Sequence, residues 1–155
     1  MKIEIPKLKD YESVNKLAFQ VHEIHVNWRP DLFISVDEVI NEDQFKKLIS
    51  NKQIFVAKIK EEIVGYIIID IVEKINHSMR YRKQLNINAM CVDENHRGKG
   101  IGTQLLKHVK QIAIENNCTD LYLTVNAENE SAIKTYERFG MKVKNIAYSM
   151  RIDDK

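Results

Sequence analysis

The sequence predicts an α/β fold in which four helices and six strands follow the order β-α-α-β-β-β-turn-α-β-α-β. Apolar residues recur at helical spacing in four stretches, and β-branched runs or strict alternation fill the intervals. A glycine-rich run, Arg97-Gly98-Lys99-Gly100-Ile101-Gly102, joins a strand-like stretch to a long amphipathic one, as where a strand feeds a helix N-terminus.

Lys2 to Ile5 reads as a short edge strand stopped by Pro6. From Tyr11, the stripe Val14, Leu17, Ala18, Val21 and Ile24 predicts a helix ending before Arg29-Pro30. Ser35 with Glu38 makes a capping box and predicts a second helix running to about Ser50, with 28–34 as a connection. Ile54 to Ile59 and Ile63 to Ile71, separated by Lys60-Glu61-Glu62, predict an antiparallel hairpin with Gly65 inside its second strand. The polar stretch 74–83 predicts a loop, and Leu85 to Val92 the strand leading into the glycine turn. Ile101, Leu105, Leu106, Val109, Ile112 and Ala113 line a third helix. Leu121, Leu123 and Val125 alternate with Tyr122 and Thr124 in a strand over 120–126. Asn129 caps a fourth helix striped by Ala132, Ile133, Tyr136 and Phe139 and closed by Gly140. Lys142 to Ile152 predicts a last, long strand.

Each residue of the glycine turn has a physical reason to be there. Glycine removes Cβ where a phosphate approaches the main chain, and it tolerates positive φ. The helix N-terminus offers free N–H groups and a positive dipole end, to which Arg97 and Lys99 add charge. A Walker loop requires Ser or Thr after Gly-Lys, whereas Lys99 is followed by Gly100. A Rossmann turn requires further βαβ units, and fewer than 60 residues follow Gly102. The turn therefore predicts a phosphorylated cofactor held outside both of those folds.

The 155 residues are expected to form one domain, 1–155, with 44% hydrophobic and 30% charged side chains. Twenty-four basic and 22 acidic residues leave a net charge of +2, too weak a field to imply a nucleic-acid or membrane partner. No apolar run approaches a membrane span and Met1-Lys2-Ile3-Glu4 does not open a signal peptide, so a cytoplasmic protein is expected. Cys91 and Cys118 have no metal-ligand spacing, and His22 with His25 supplies too few ligands for zinc, so no metal is expected.

Met90-Cys91-Val92-Asp93, the run Arg97 to Gly102 in the family's Arg/Gln-x-x-Gly-x-Gly/Ala form, and Asn129-x-x-Ala132-x-x-x-Tyr136-x-x-x-Gly140-Met141 together resemble the GNAT superfamily of acetyl-CoA-dependent N-acetyltransferases. The strong match covers residues 85 to 141; Met141 stands where the family usually has Phe. The resemblance implies a three-layer fold whose mixed, mostly antiparallel sheet splays between the strands 85–92 and 120–126, with the cofactor's pantetheine arm in the opening. It implies that Met90, Cys91 and Val92 line that arm and that Arg97, Gly98, Lys99, Gly100, Ile101, Gly102 and Thr103 hold the pyrophosphate. Asn129 would contact the cofactor arm and Tyr136 would face the sulfur. The first helices wall the acceptor groove in this family, which makes His25, Trp28 and Arg29 the candidates for substrate contact.

Transfer to an amine poses two proton problems. A lysine-like amine of pKa about 10.4 costs roughly 4.6 kcal/mol to deprotonate at pH 7, an α-amine of pKa about 8 only about 1.4 kcal/mol. Proton transfer from tyrosine to the leaving thiolate is uphill by roughly 2 kcal/mol, so Tyr136 suits the role of hydrogen-bond donor. Relatives acting on ribosomal-protein N-termini carry a glutamate five residues before the motif Asn; here that position is Thr124, which leaves the base open. The expected function is acetyl transfer to a primary amine of a small molecule or a peptide N-terminus. A non-catalytic acyl-CoA-binding sensor is the alternative. The oligomeric state is open, a homodimer included.

Overall fold

In the computed structural model, which describes residues 1–153, five strands form one sheet in the order β1-β2-β3-β4-β5. They are β1 (Lys2–Glu4), β2 (Ile54–Ile59), β3 (Glu62–Asn76), β4 (Met79–Val92) and β5 (Asp120–Tyr122). The helices are α1 (Tyr11–Trp28), α2 (Glu42–Ser50), α3 (Ile101–Glu115) and α4 (Glu130–Phe139). Neighbouring strands are antiparallel except β4 and β5, which are parallel. Met1–Thr124 is one compact unit, and a second begins at Val125 and carries α4.

Within the first unit, alternation gives the sheet two apolar faces. On one, Val14, Leu17 and Ala18 of α1 and Phe45 of α2 pack with Ile40 against Ile54, Val56, Tyr66 and Cys91. Each such fully buried side chain stabilises the fold by about 1.5–3 kcal/mol relative to exposure. On the other face lies α3, whose buried stripe is Ile101, Leu105, Leu106, Val109 and Ala113. Gly65 decides how close α3 can come. A Cβ there would lie 2.8 Å from the Cys91 carbonyl and 3.4 Å from both Ile101 Cγ2 and Leu105 Cδ1.

Four elements depart from expectation. The second helix begins at Glu42, not after Ser35: Asn41 caps it, and Asn41 and Gln44 bond reciprocally at 2.8 and 3.0 Å. Ser35 instead donates to Glu23, and Asn15 clamps both backbone groups of Ile40 at 2.7 and 2.9 Å, so the chain before Asn41 stays out of the helix while Ile40 reaches the core. The stretch 74–83 is no loop but a two-stranded arm, with Lys74 opposite Arg82 and Asn76 opposite Met79. Its polarity reflects exposure on both faces, which a composition reading confuses with irregular structure.

The fifth strand is shorter than 120–126, ending at Tyr122. The chain from Met141 to Met150 carries neither helix nor strand. A strand exists only as half of a ladder, and among the described residues the second unit holds no strand to pair with 142–152.

The feature that positions the site is the end of the β4–β5 ladder. Gln84, Leu85 and Asn86 pair with Asp120, Leu121 and Tyr122, and pairing stops there, while β3 accompanies β4 as far as Val92. The sheet thus opens on the β5 side of β4 over residues 87–92, as the resemblance implied.

Candidate functional site

The opening leads to the N-terminus of α3. Gly98 and Gly100 have φ of 75° and 78°, the left-handed region that glycine adopts without penalty. Gly100 is the N-cap, and no side chain caps the helix; the first internal bond is Gln104 N–H to the Gly100 carbonyl at 3.0 Å. The N–H groups of Ile101, Gly102 and Thr103 therefore project forward, as in an anion site. Gly102 differs from the other two glycines. Its φ is not positive, and a Cβ there would meet Val92 Cγ2 at 3.7 Å and Met90 Cε at 3.8 Å, ordinary contacts. Nothing in the packing around it requires glycine at 102. The same contacts show Met90 and Val92 turned toward the α3 N-terminus, so the structure brings together the strand and turn residues expected to hold the cofactor.

Arg97 donates from Nε to the Val92 carbonyl at 3.1 Å, and Lys99 donates to the Asn95 carbonyl at 3.1 Å. Both cations are tied to the turn that carries the glycines. Asp93 braces that turn: its carboxylate accepts from Gln20 of α1 at 3.0 Å and from Asn95 N–H at 3.2 Å, and pairs with His96 at 2.9 Å. The hydrogen bonds from His96 and Gln20 hold the Asp93 carboxyl below the usual carboxylate range. Sequence reasoning placed Asp93 in the family motif without connecting it to Gln20 or His96, because Gln20 is 73 positions from Asp93 and no local pattern pairs them.

Cys91 faces the other way. Its side chain is buried at 3% exposure and its thiol donates to the Leu17 carbonyl of α1 at 3.4 Å. Burial pushes the thiol up to about 12. Only the backbone of Cys91 remains available to the opening.

At the end of α1, His25 stacks on Phe33 with ring centroids 5.6 Å apart and lies 5.7 Å from Trp28. His22 meets Phe33 edge-on at 6.2 Å and reaches the Ile34 carbonyl at 2.7 Å. Burial, and secondarily the neighbouring His22, lower the pKa of His25, so its imidazole is neutral at pH 7. Arg29 holds Asp31 through two bonds of 2.9 and 2.7 Å. His25 and Trp28 thus share one aromatic cluster, while Arg29 is engaged in the turn that follows. Phe33 was not anticipated. His108, on α3, has its ring 4.8 Å from Phe55 and an Nε2 buried without a partner.

In the second unit, Asn129 caps α4 by accepting from Ala132 N–H at 3.2 Å, and Gly140 ends it at φ 101°. Burial raises the Tyr136 phenol above its ordinary value, which keeps it a protonated donor.

A polar cleft of about 250 Å3 lies where β4 and β5 part, bounded by Lys74, Gln84, Asn86, Asn88, Tyr122 and Thr124 with Ile87 and Leu123. Alternation along β3 places Asp70, Val72 and Lys74 on the face that Tyr66 and Ile68 turn to α1 and α2. The signal was present as Gln84-x-Asn86-x-Asn88, a polar stripe at every second residue of a strand. Among the described residues, no group of three His, Cys, Asp or Glu side chains is placed to hold a metal ion, and no helix is long and apolar enough to cross a membrane.

Residues 19–141 match the acetyltransferase (GNAT) family. The chain belongs to that family. Among GNAT relatives it is 34% identical over 86 residues to N-alpha-acetyltransferase 30 of Xenopus laevis, a stretch covering 56% of this chain and 30% of that protein. The chain thus spans under a third of the length of that relative. A mutant of the BH1408 protein from Bacillus halodurans superposes with a TM-score of 0.94 at 29% identity, over 98% of this chain and 99% of that one. Aminoglycoside N-acetyltransferase AAC(6')-Iy in complex with CoA shares the fold, with a TM-score of 0.73 at 13% identity over 98% and 94% of the two chains.

Proposed function

We propose that the protein transfers the acetyl group of acetyl-CoA to a primary amine, of a small molecule or a peptide N-terminus, by direct attack. The observation that carries this is the uncapped N-terminus of α3 set beside Met90 and Val92 at the mouth of an opened sheet. Family membership and the named N-alpha-acetyltransferase relative support it.

The cofactor supplies a thioester carbonyl at the opening. The N–H groups of Ile101, Gly102 and Thr103, with Arg97 and Lys99, bind its pyrophosphate. Alternate N–H and C=O groups of β4 face β3; the others, past Asn86, have no strand beside them and can fix the carbonyl and donate to its oxygen as negative charge develops. In the transfer a C–N bond forms, the C–S bond breaks, and the proton lost by the amine balances the one gained by the leaving thiolate. The family motif assigns Tyr136 to donate to that sulfur, and its raised pKa keeps the donor hydrogen in place. Cys91, buried, protonated and bonded to α1, is not a covalent acyl carrier, which supports direct attack.

The test is release of free thiol from acetyl-CoA with and without a panel of amines. Acceptor-dependent release, reduced tenfold to a thousandfold in kcat by Tyr136→Phe, is expected. Tight CoA binding with no acetylated product from any amine would overturn the reading and leave a cofactor sensor.

A further inference from the structure

The polar cleft at the β4–β5 junction has a chemical bias. Three strands run beside it in register, with Asp70, Asn86 and Tyr122 in one row across β3, β4 and β5 and Val72, Gln84 and Asp120 in the next. Gln84 is almost fully buried and donates from its amide NH2 to the side-chain Oδ1 of Asn86, which orients the Asn86 amide. Lys74 reaches across these rows from the arm, its Nζ 5.6 Å from the centroid of Tyr122. The carboxylates nearby have other partners: Asp70 accepts from Asn88 at 2.9 Å, Glu73 from Tyr81 at 3.2 Å, and Asp120 from Arg82 at 3.1 Å. None of the three lines the cleft. What does line it is one cation, amide groups and the hydroxyls of Tyr122 and Thr124.

Such a lining suits an anion and repels a second cation. It also offers no carboxylate or histidine to take a proton from the acceptor. That favours an amine already partly neutral: an α-amine of pKa about 8 is about one-tenth neutral at pH 7, a lysine-type amine of about 10.4 less than one part in a thousand. A cation beside the amine shifts the balance further toward the neutral form. The cleft, of about 250 Å3, opens to solvent on one side, so a free amino acid or the first residue of a longer peptide can enter it.

We propose that this cleft selects an acceptor whose α-amine is accompanied by a carboxylate, paired with Lys74 and oriented by Asn86 and Thr124. The carboxylate belongs either to a free α-amino acid or to an acidic first residue of a peptide. The inference rests on the acetyl-transfer reading, since it assigns the acceptor of that reaction.

The experiment measures acetyl-CoA-dependent thiol release with four acceptor sets: free aspartate, glutamate and methionine; the same amino acids as carboxamides lacking every carboxylate; peptides beginning with Asp or with Lys; and spermidine. The proposal expects kcat/KM at least tenfold higher for carboxylate-bearing acceptors than for their carboxamides or for spermidine. Whether free amino acids or Asp-first peptides turn over faster identifies the source. Lys74→Gln is expected to erase the preference through KM, and Lys74→Glu to reverse it toward Lys-first peptides and spermidine. Lys107→Gln, on the solvent side of α3, is expected to retain it. Lys74 is exposed, and circular dichroism confirms that each variant folds. Turnover of amines without carboxylate preference, or a preference that survives Lys74→Glu, overturns the proposal while acetyl transfer stands. Absence of turnover with every acceptor removes both.

Discussion

Replacing Gly102 by alanine separates the demands of the fold from those of the ligand, because the two predict effects of opposite sign. The added methyl finds Val92 Cγ2 at 3.7 Å and Met90 Cε at 3.8 Å, contacts that cost nothing. The backbone there is the first turn of α3 with no positive φ, so alanine stabilises the helix by about 0.5–1 kcal/mol relative to glycine. For a chain of this length that raises Tm by about 1–4 °C. The pyrophosphate placement predicts that the same methyl crowds a phosphate oxygen closing on the Gly102 N–H. Losing one charge-assisted hydrogen bond costs about 1.5–3 kcal/mol, a weakening of CoA binding by about tenfold to a hundredfold. Gly98→Ala and Gly100→Ala behave differently: at φ 75° and 78° each is expected to lower stability by about 1–2 kcal/mol. Titration calorimetry with CoA beside a thermal melt reads both quantities. Gly102→Ala with an unchanged or higher Tm and an unchanged CoA affinity would refute the placement of the pyrophosphate.

Gly65→Ala is expected to destabilise by about 1–3 kcal/mol, as overpacking does, because its Cβ would meet the Cys91 carbonyl at 2.8 Å; a urea midpoint equal to the parent's would show that α3 does not sit as described. Lys58, 7% exposed, lies 3.0 Å from Asp10 and 3.3 Å from Glu4, so Lys58→Met should cost about 3–5 kcal/mol by stranding Asp10, and adding Asp10→Asn should recover part of it. Burial pulls the Lys58 pKa down and the bonds to Asp10 and Glu4 more than offset that; its net rise means that this contribution holds below pH about 10.5 and is lost above it. His25 is lowered by burial and by His22, so the unfolded chain binds the proton more readily and stability should fall as pH drops through about 6.5. His25→Gln should flatten that slope between pH 7.5 and 5.5 in urea melts; an unchanged slope counts against it. If His25 also serves as base, the same variant removes the acidic limb of the kcat/KM profile.

The parts of the site legible in the sequence are those made by local physics. Positive φ at Gly98 and Gly100, the uncapped start of α3, and the caps at Asn129 and Gly140 are each set within a few consecutive residues, where residue type dictates backbone conformation. The stripes of α1 and α3 were equally readable, because a period in sequence is a direction in space. The end of the β4–β5 ladder followed from the family pattern, and the register confirms it.

What tertiary structure decided were choices between locally equivalent options. Ser35 with Glu38 and Asn41 with Gln44 both satisfy the capping-box pattern; burial of Ile40 and Phe45 selected the second. The polar residues of 74–83 suit a loop or an exposed ribbon equally, and only pairing of Lys74 with Arg82 across the turn distinguishes them. Alternation over 142–152 states a capacity for strand without naming a partner. The cleft itself draws Lys74, Gln84, Asn86, Asn88, Tyr122 and Thr124 from three strands and the chain beyond them. The sequence by itself determined the conformation of the glycine turn, since sterics act on neighbouring residues; which side chains share the polar cleft was decided by strand register, a property that comes into being only when distant segments pair.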